Sequence, residues 1–318
     1  MMASTVRGTR ESFVEGLIAA AESSPAVSLV SADSIKALRA VPFRERFPDR
    51  FYELGIAEQT AVTFAAGLAA AGQVPFVGTY AGFLTMRAAE QMRTFVAYPK
   101  LTVKFAGLNG GIYGGEREGV THQFFEDVGI LRTIAGYEVI VPCDGPQTRL
   151  ATIETAKRPG PGYIRVGSGT EPLIVGDGEA FEFGKARVLE THGRDVALFT
   201  CGPVLRVVLD AAARLKSDGI RATVVEIHTV KPIDSEAVAQ VLGQVPAAVT
   251  IEDHNIIGGL GSAITEVSTE TTPRIILRMG IRDTYPVSGD REELWEHYGF
   301  TAEEIARSAR LAIEKAGR

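Results

Sequence analysis

Four groups of residues in this chain have types and spacings suited to chemistry. Glu58 follows an extended stretch ending at Gly55 and opens an alanine-rich run to Gly72 that reads as a helix. A carboxylate in a helix's first turn complements the positive end of the peptide dipole, worth ~0.3–1 kcal/mol, and the same placement suits a proton-transferring acid. Tyr80 and Phe83, in Thr79-Tyr80-Ala81-Gly82-Phe83-Leu84-Thr85-Met86-Arg87, are three apart just past a strand end. On one helix face they would offer a stacking surface to a flat heteroaromatic ring, or else fill the core. Six glycines among positions 107–119 let a loop approach a ligand with bare backbone. His122 follows, with Glu116 and Glu118 as acidic neighbours of a group that titrates near neutrality. A surface loop with a solvated histidine is the alternative. Arg165 closes the run Tyr163-Ile164-Arg165-Val166, where a guanidinium serves either an anion in a cleft or a structural salt bridge.

These side chains need elements to hold them, and the pattern supplies an α/β framework. Short β-branched or aromatic runs at 26–31, 74–79, 101–106, 137–141 and 162–166 alternate with helical patterns at 10–22, 58–71, 81–98, 126–135 and 147–157. That rhythm is the signature of a parallel sheet covered by helices. It repeats with strands at 195–200, 222–228, 247–252 and 274–277 and helices at 204–217, 235–242, 262–269 and 303–316. At 318 residues the chain exceeds one domain of roughly 100–200 residues. The expectation is two parallel-sheet, three-layer α/β domains at 1–168 and 185–318, joined by a Gly-, Asp- and Glu-rich linker at 169–184.

Composition narrows the classes. With 45% apolar and 23% charged residues the chain is an ordinary globular one, and a net charge of −6 with scattered basic residues favours neither nucleic acid nor an anionic membrane. Cys143 and Cys201 form no CxxC pair, so neither a disulfide framework nor a zinc site is suggested, and a reducing cytoplasm fits. The apolar stretch 60–71 is too short to span a bilayer, and residues 1–13 lack the apolar centre of a signal peptide. Gly176-Asp177-Gly178 resembles the start of a diphosphate-metal motif, but the only asparagines, Asn109 and Asn255, do not complete it, so it reads as a turn. Gly259-Leu260-Gly261 has Ile264 at the third glycine position of a dinucleotide fingerprint, which disfavours a nicotinamide enzyme.

Taken together, the motifs resemble the pyrimidine-binding and C-terminal domains of the transketolase family over nearly the whole chain. The resemblance rests on Phe51-Tyr52-Glu53-Leu54-Gly55-Ile56-Ala57-Glu58-Gln59, a segment shared with deoxyxylulose-phosphate synthases, and on Tyr80, Phe83, Thr121-His122-Gln123 and Arg165. In the second half it rests on the segments 228–234 and 252–261. It implies thiamine diphosphate as cofactor, with Mg2+ or Ca2+ held mainly by another chain. Glu58 would hydrogen-bond N1′ of the aminopyrimidine and promote the imino tautomer that takes the thiazolium C2 proton. Ile56 would wedge beneath the bent cofactor, Tyr80, Phe83 and Met86 would lie beside the pyrimidine, and Asp33 near the thiazolium. His122 would face the substrate, Glu118 would stand where the family recognises a sugar hydroxyl, and Arg165 would hold the substrate phosphate. Gly110 stands where many members carry a phosphate-binding histidine, and Met86 where they carry an aromatic.

The diphosphate-binding domain of the family precedes the region matched here, so the resemblance implies a separate subunit that supplies it, in an α2β2 assembly acting on sugar phosphates. The expected activity is transfer of a two-carbon ketol unit from a ketose phosphate to an aldehyde. Alternatives are a β-type subunit of a 2-oxoacid decarboxylating enzyme, a deoxyxylulose-phosphate-synthase-like condensation, and, from a different class, a non-catalytic assembly subunit.

Overall fold

A computed structural model describes residues 8–112, 118–169, 171–175 and 181–317. In the first half, β-branched and aromatic runs form β1 (Val27–Ser31), β2 (Phe51–Glu53), β3 (Val74–Tyr80), β4 (Lys104–Leu108), β5 (Glu138–Ile140) and β6 (Gly162–Arg165). In the second they form β7 (Arg187–Thr191), β8 (Val196–Thr200), β9 (Ala222–Glu226), β10 (Thr229–Lys231), β11 (Ala247–Asn255) and β12 (Ile275–Ile281). The first sheet runs β10-β5-β6-β4-β3-β1-β2 and the second β12-β11-β8-β9-β7. Pairing is parallel except for β10 against β5 and β7 against β9. Both sheets are thus mostly parallel and helix-covered, as the strand and helix rhythm implies.

Side chains alternate across the first sheet with the strand period of two. Leu29, Phe76, Ala106 and Ile164 face α1 (Thr9–Ser23), α2 (Val41–Arg46) and, packed beside α1 on the same face, α6 (Gly145–Lys157), in a cluster that includes Phe13, Leu17, Phe43 and Ala151. Their neighbours Val30, Val77, Phe105 and Tyr163 face the opposite cluster, which includes Ala61 and Ala65 of α3 (Glu58–Ala70) and Val128 and Leu131 of α5 (Asp127–Thr133). That second cluster does not stop at the domain edge. It continues through Phe199, Val225 and Val230 to α8 (Ser235–Gln244) and α9 (Leu260–Glu270). The other face of the second sheet packs on α7 (Leu205–Ser217), α10 (Arg291–His297) and α11 (Ala302–Lys315).

Several elements differ from the sequence-based expectation. The stretch 81–98 is not one α-helix: π-helical turns at Phe83–Arg87 and Met92–Ala97 flank the single α-turn α4 (Ala89–Gln91). Gly82 sits at the first π segment because the Phe124 ring occupies the space of a Cβ, 2.0 Å from where that atom would stand. The short elements β2, β10, α2 and α10 carry too few residues for a periodic signal, and β7, a partly exposed edge strand, has no continuous apolar run. β10 is the most consequential of them: a strand of the second half closes the edge of the first half's sheet. Its Lys231 donates to the carbonyls of Arg132 (2.9 Å) and Ile134 (2.6 Å). Within the stretch read as a linker, residues 171–175 are tied down. Glu171 accepts from the Thr9 N–H (3.0 Å) and hydroxyl (2.8 Å), and Asp144 accepts from the N–H groups of Ile174 (2.9 Å) and Val175 (2.7 Å). The Gly176-Asp177-Gly178 motif lies outside the described residues.

His254, on β11, couples the halves through a neutral imidazole. Its Nδ1 donates to the Asn255 carbonyl (2.6 Å), leaving Nε2 to accept from the Gly129 N–H (3.1 Å). Burial, helped by Arg165, lowers its pKa to about 4, so Glu252 at 3.8 Å is a neighbour and not an ion-pair partner. With the folded pKa below the unfolded one of about 6.5, the unfolded chain binds the proton first. The histidine's contribution is therefore complete above pH 6.5 and lost as pH falls to 4. Glu252, raised to about 7 chiefly by burial, works in the opposite sense but is common to wild type and a His254 variant. The urea-unfolding free-energy difference between wild type and His254→Asn should shrink by up to ~3 kcal/mol from pH 7 to pH 4. A difference independent of pH would contradict the neutral-imidazole coupling.

Candidate active site

The site begins with a turn that the chain builds between β2 and α3. Glu53, the last residue of β2, accepts from the backbone N–H of Asp33 (2.6 Å) and of Gly55 (3.2 Å). Both donors belong to residues with positive φ, Asp33 at 52° and Gly55 at 70°, so one carboxylate fixes two tight turns. The chain then passes Ile56, which is 75% exposed, and enters α3 at Glu58. Glu58 is only 3% exposed, at a helix N-terminus whose dipole favours its charge. A buried carboxylate needs a partner, and Nη1 of Arg87 supplies one at 2.6 Å. Gln59 donates to the Arg87 carbonyl (3.0 Å), joining α3 to the first π segment. Sequence reading missed Arg87 and Gln59; the signal was Arg87 four residues beyond Phe83 on a shared helix face.

The aromatic residues converge as expected, in a different arrangement. Tyr80 ends β3 and does not share a helix with Phe83, yet their rings meet edge to face at 5.4 Å. His122, partly buried, packs against Tyr80 at 4.8 Å and Phe83 at 5.4 Å, and its Nδ1 lies 3.0 Å from the Thr121 hydroxyl. Phe124, which no sequence signal singled out, packs on Phe83 at 5.4 Å. The Arg87 guanidinium lies over the Phe83 face, 4.2 Å from its centroid. Glu58, Phe83 and His122 are thus linked through adjoining contacts. Met86 is 46% exposed beside them, and Asp33 and Glu118 are exposed on their own turns. Glu116 lies outside the described residues. Arg10 is a further cation that sequence reading missed: it donates to the Asn109 side chain and to the carbonyls of Gly167 (3.0 Å) and Ala37 (3.1 Å), and burial lowers its pKa.

Arg165 is not part of this group, and the expected grip on a substrate phosphate is corrected. It is 7% exposed and forks onto Asp127, with Nη2–Oδ1 at 2.7 Å and Nε–Oδ2 at 3.0 Å. Its remaining N–H groups reach the carbonyls of Phe124 (3.0 Å) and Asp253 (2.7 Å), while Tyr163 donates to Asp127 (2.5 Å). Burial disfavours the charge, yet Asp127 and Asp253 more than offset it and raise the pKa. The structural salt bridge is the reading the geometry selects. It also explains Gly110, whose Cβ would stand 2.3 Å from the Arg165 side chain, leaving no room for a histidine there. Gln123 likewise serves structure, donating to the Val287 carbonyl (3.1 Å) in the second half. Arg165→Met should cost about 3–5 kcal/mol in chemical denaturation, because Asp127 is left buried without its cation. A raised KM for a phosphorylated substrate with unchanged stability would return Arg165 to the substrate.

Residues 7–169 match the family model described as the transketolase pyrimidine binding domain, and residues 184–305 that of the transketolase C-terminal domain. The chain is 37% identical to a putative transketolase C-terminal section from Methanocaldococcus jannaschii, covering 97% of each chain. It is also 37% identical to a 6-deoxy-6-sulfo-D-fructose transketolase subunit from a Clostridium species, covering 96% of this chain and 94% of that one. A solved structure titled a split gene transketolase, inactive beta4 tetramer, superposes with a TM-score of 0.88 at 35% identity, covering 97% of this chain and 98% of that one. Both the superposition and the matches along the sequence lead to one conclusion: the chain belongs to the transketolase family.

Proposed function

We propose that this chain is the pyrimidine-side subunit of a split, thiamine-diphosphate-dependent transketolase, moving a two-carbon ketol unit from a ketose phosphate to an aldehyde acceptor. The observation that carries the reading is Glu58: a glutamate 3% exposed at a helix N-terminus, facing a planar cation laid over the Phe83 ring. An aminopyrimidine fits this site when Glu58 carries a proton, since its ring nitrogen accepts from the carboxyl O–H and its flat face meets an aromatic. Thiamine diphosphate, when bound, supplies the nucleophilic carbon that carries the two-carbon unit.

The chain's own residues orient and exchange protons. Glu58 holds a proton at the pyrimidine ring nitrogen, which a glutamine in its place could not pass on. Phe83 and Tyr80 flank the ring, Ile56 supports the cofactor from the Gly55 turn, and Met86 and Asp33 stand at its margins. His122, held against Phe83 and Tyr80 with Thr121 on Nδ1, binds a substrate hydroxyl or assists its proton transfer, and Glu118 contributes to acceptor recognition. The diphosphate and its Mg2+ or Ca2+ belong to a partner subunit, in an α2β2 assembly. Relatives named as a C-terminal section and as a subunit support that division, as does the similar split-gene protein whose beta4 tetramer is titled inactive. The relative named for a sulfo-sugar favours a ketose with an anionic terminal group, whether phosphate or sulfonate.

Reconstitution with a diphosphate-domain subunit should give turnover of xylulose 5-phosphate with an aldehyde acceptor, and neither chain alone should. Glu58→Gln should assemble normally and lose at least ~10²-fold in kcat. Turnover with pyruvate alone would replace ketol transfer by the 2-oxoacid reading, and full activity of Glu58→Gln would favour an assembly subunit.

A further inference from the structure

Arg87 makes two contacts that define a single position. Its Nη1 lies 2.6 Å from Glu58 Oε1, and its guanidinium carbon lies 4.2 Å from the centroid of the Phe83 ring. The guanidinium therefore sits in front of the carboxylate and over the aromatic face at once. On the reading that Glu58 and Phe83 receive the cofactor's aminopyrimidine, that ring must present a nitrogen to the same carboxylate and a face to the same phenyl group. A ring that takes the Oε1 side of the carboxylate and the face of Phe83 that Arg87 covers competes with the guanidinium for one position. We propose that Arg87 is a placeholder for the aminopyrimidine, displaced when the cofactor binds.

The chemistry of the two occupants makes the exchange feasible. A guanidinium is flat, delocalised and weakly hydrated, stacks on aromatic rings and donates to carboxylates, which together are the demands of this position. Without an occupant, Glu58 would be a carboxylate buried to 97% with no counter-charge, a costly arrangement. Arg87 removes that cost in the cofactor-free chain. Its side chain is 46% exposed, so a route to solvent exists on the outer side of the π segment. The backbone need not follow: the Arg87 carbonyl is held by Gln59 (3.0 Å) and the Ala88 N–H bonds to the Leu84 carbonyl (3.1 Å). Displacement is thus a rotamer change in one long side chain, with Phe83 and Glu58 kept in place and one proton taken up from solvent, so that the Glu58 carboxyl donates to the ring nitrogen as the guanidinium leaves. The π geometry of Phe83–Arg87, a helix variant often found at functional sites, brings the ring and the cation together.

The proposal rests on the cofactor reading above, and one experiment separates the two. The affinity of the reconstituted complex for thiamine diphosphate with Mg2+ is measured by titration calorimetry for wild type, Arg87→Met and Arg87→Lys. Arg87→Met keeps an aliphatic stem over Phe83 but removes the competing cation, so it should bind the cofactor about 10-fold tighter, because the fraction of competent sites rises. The same variant should have a lower Tm without cofactor, and the difference from wild type should narrow on saturation. Arg87→Lys, which keeps the charge without the planar fork, should fall between. If Arg87→Met does not fold, an Arg87→Lys affinity equal to or weaker than wild type overturns the proposal. Weaker or unchanged binding by a folded Arg87→Met also overturns it, making Arg87 a cofactor support or a bystander. Absence of cofactor binding by wild type would overturn the functional reading and the placeholder with it.

Discussion

A carboxylate with 3% of its surface exposed cannot stand alone, and the arrangement around Glu58 follows from that constraint. The sequence places it by simple means: Glu53 pins two turns, Gly55 takes a positive φ, and α3 begins where its dipole favours a negative charge. The alanines that follow, 61, 65 and 66, let α3 pack closely on the sheet, so the helix start cannot drift toward solvent. Burial then demands a cation or a hydrogen-bonding partner, and Arg87 meets that demand in this chain.

A second buried charge does a different task. Arg165 gathers Asp127, the Phe124 carbonyl and the Asp253 carbonyl at the seam between the halves. Asp253 in turn accepts from the Ile112 N–H at 2.9 Å, so β11 grips the base of the glycine-rich loop. Phe124 carries the connection to Phe83. The second half is thereby mechanically continuous with the aromatic cluster, reinforced by the shared core and by β10 at the edge of the first sheet. This accounts for glycines at 110 and 111, where any side chain would collide with Arg165 or Asp253.

Much of this was legible in the sequence. The short β-branched and aromatic runs announced β3, β4, β6, β8, β9 and β11, because strands buried on both faces read as near-continuous apolar blocks. Glu58, Tyr80, Phe83 and His122 were visible as chemistry-bearing residues next to strand ends. What escaped was what depends on distant partners. Arg165 reads the same whether it meets a phosphate or Asp127, since 38 residues separate that pair in sequence. The π turns at 83–97 keep the apolar content of an α-helix and differ only in hydrogen-bond register. β10 is three residues long and owes its strand character to β5. Arg87 lies within a stretch read only as a helix, and the fold is what lays it across Phe83.

The central claim is that Glu58 activates a cofactor whose diphosphate another chain holds. Hydrogen–deuterium exchange at the thiazolium C2 of thiamine diphosphate, followed by quenched-flow NMR, tests this without any substrate. The account predicts fast exchange only when this chain and a diphosphate-domain subunit are both present, and a return to the slow solution rate with Glu58→Gln. Equally fast exchange with the partner subunit alone, or with Glu58→Gln in the assembled pair, would contradict it.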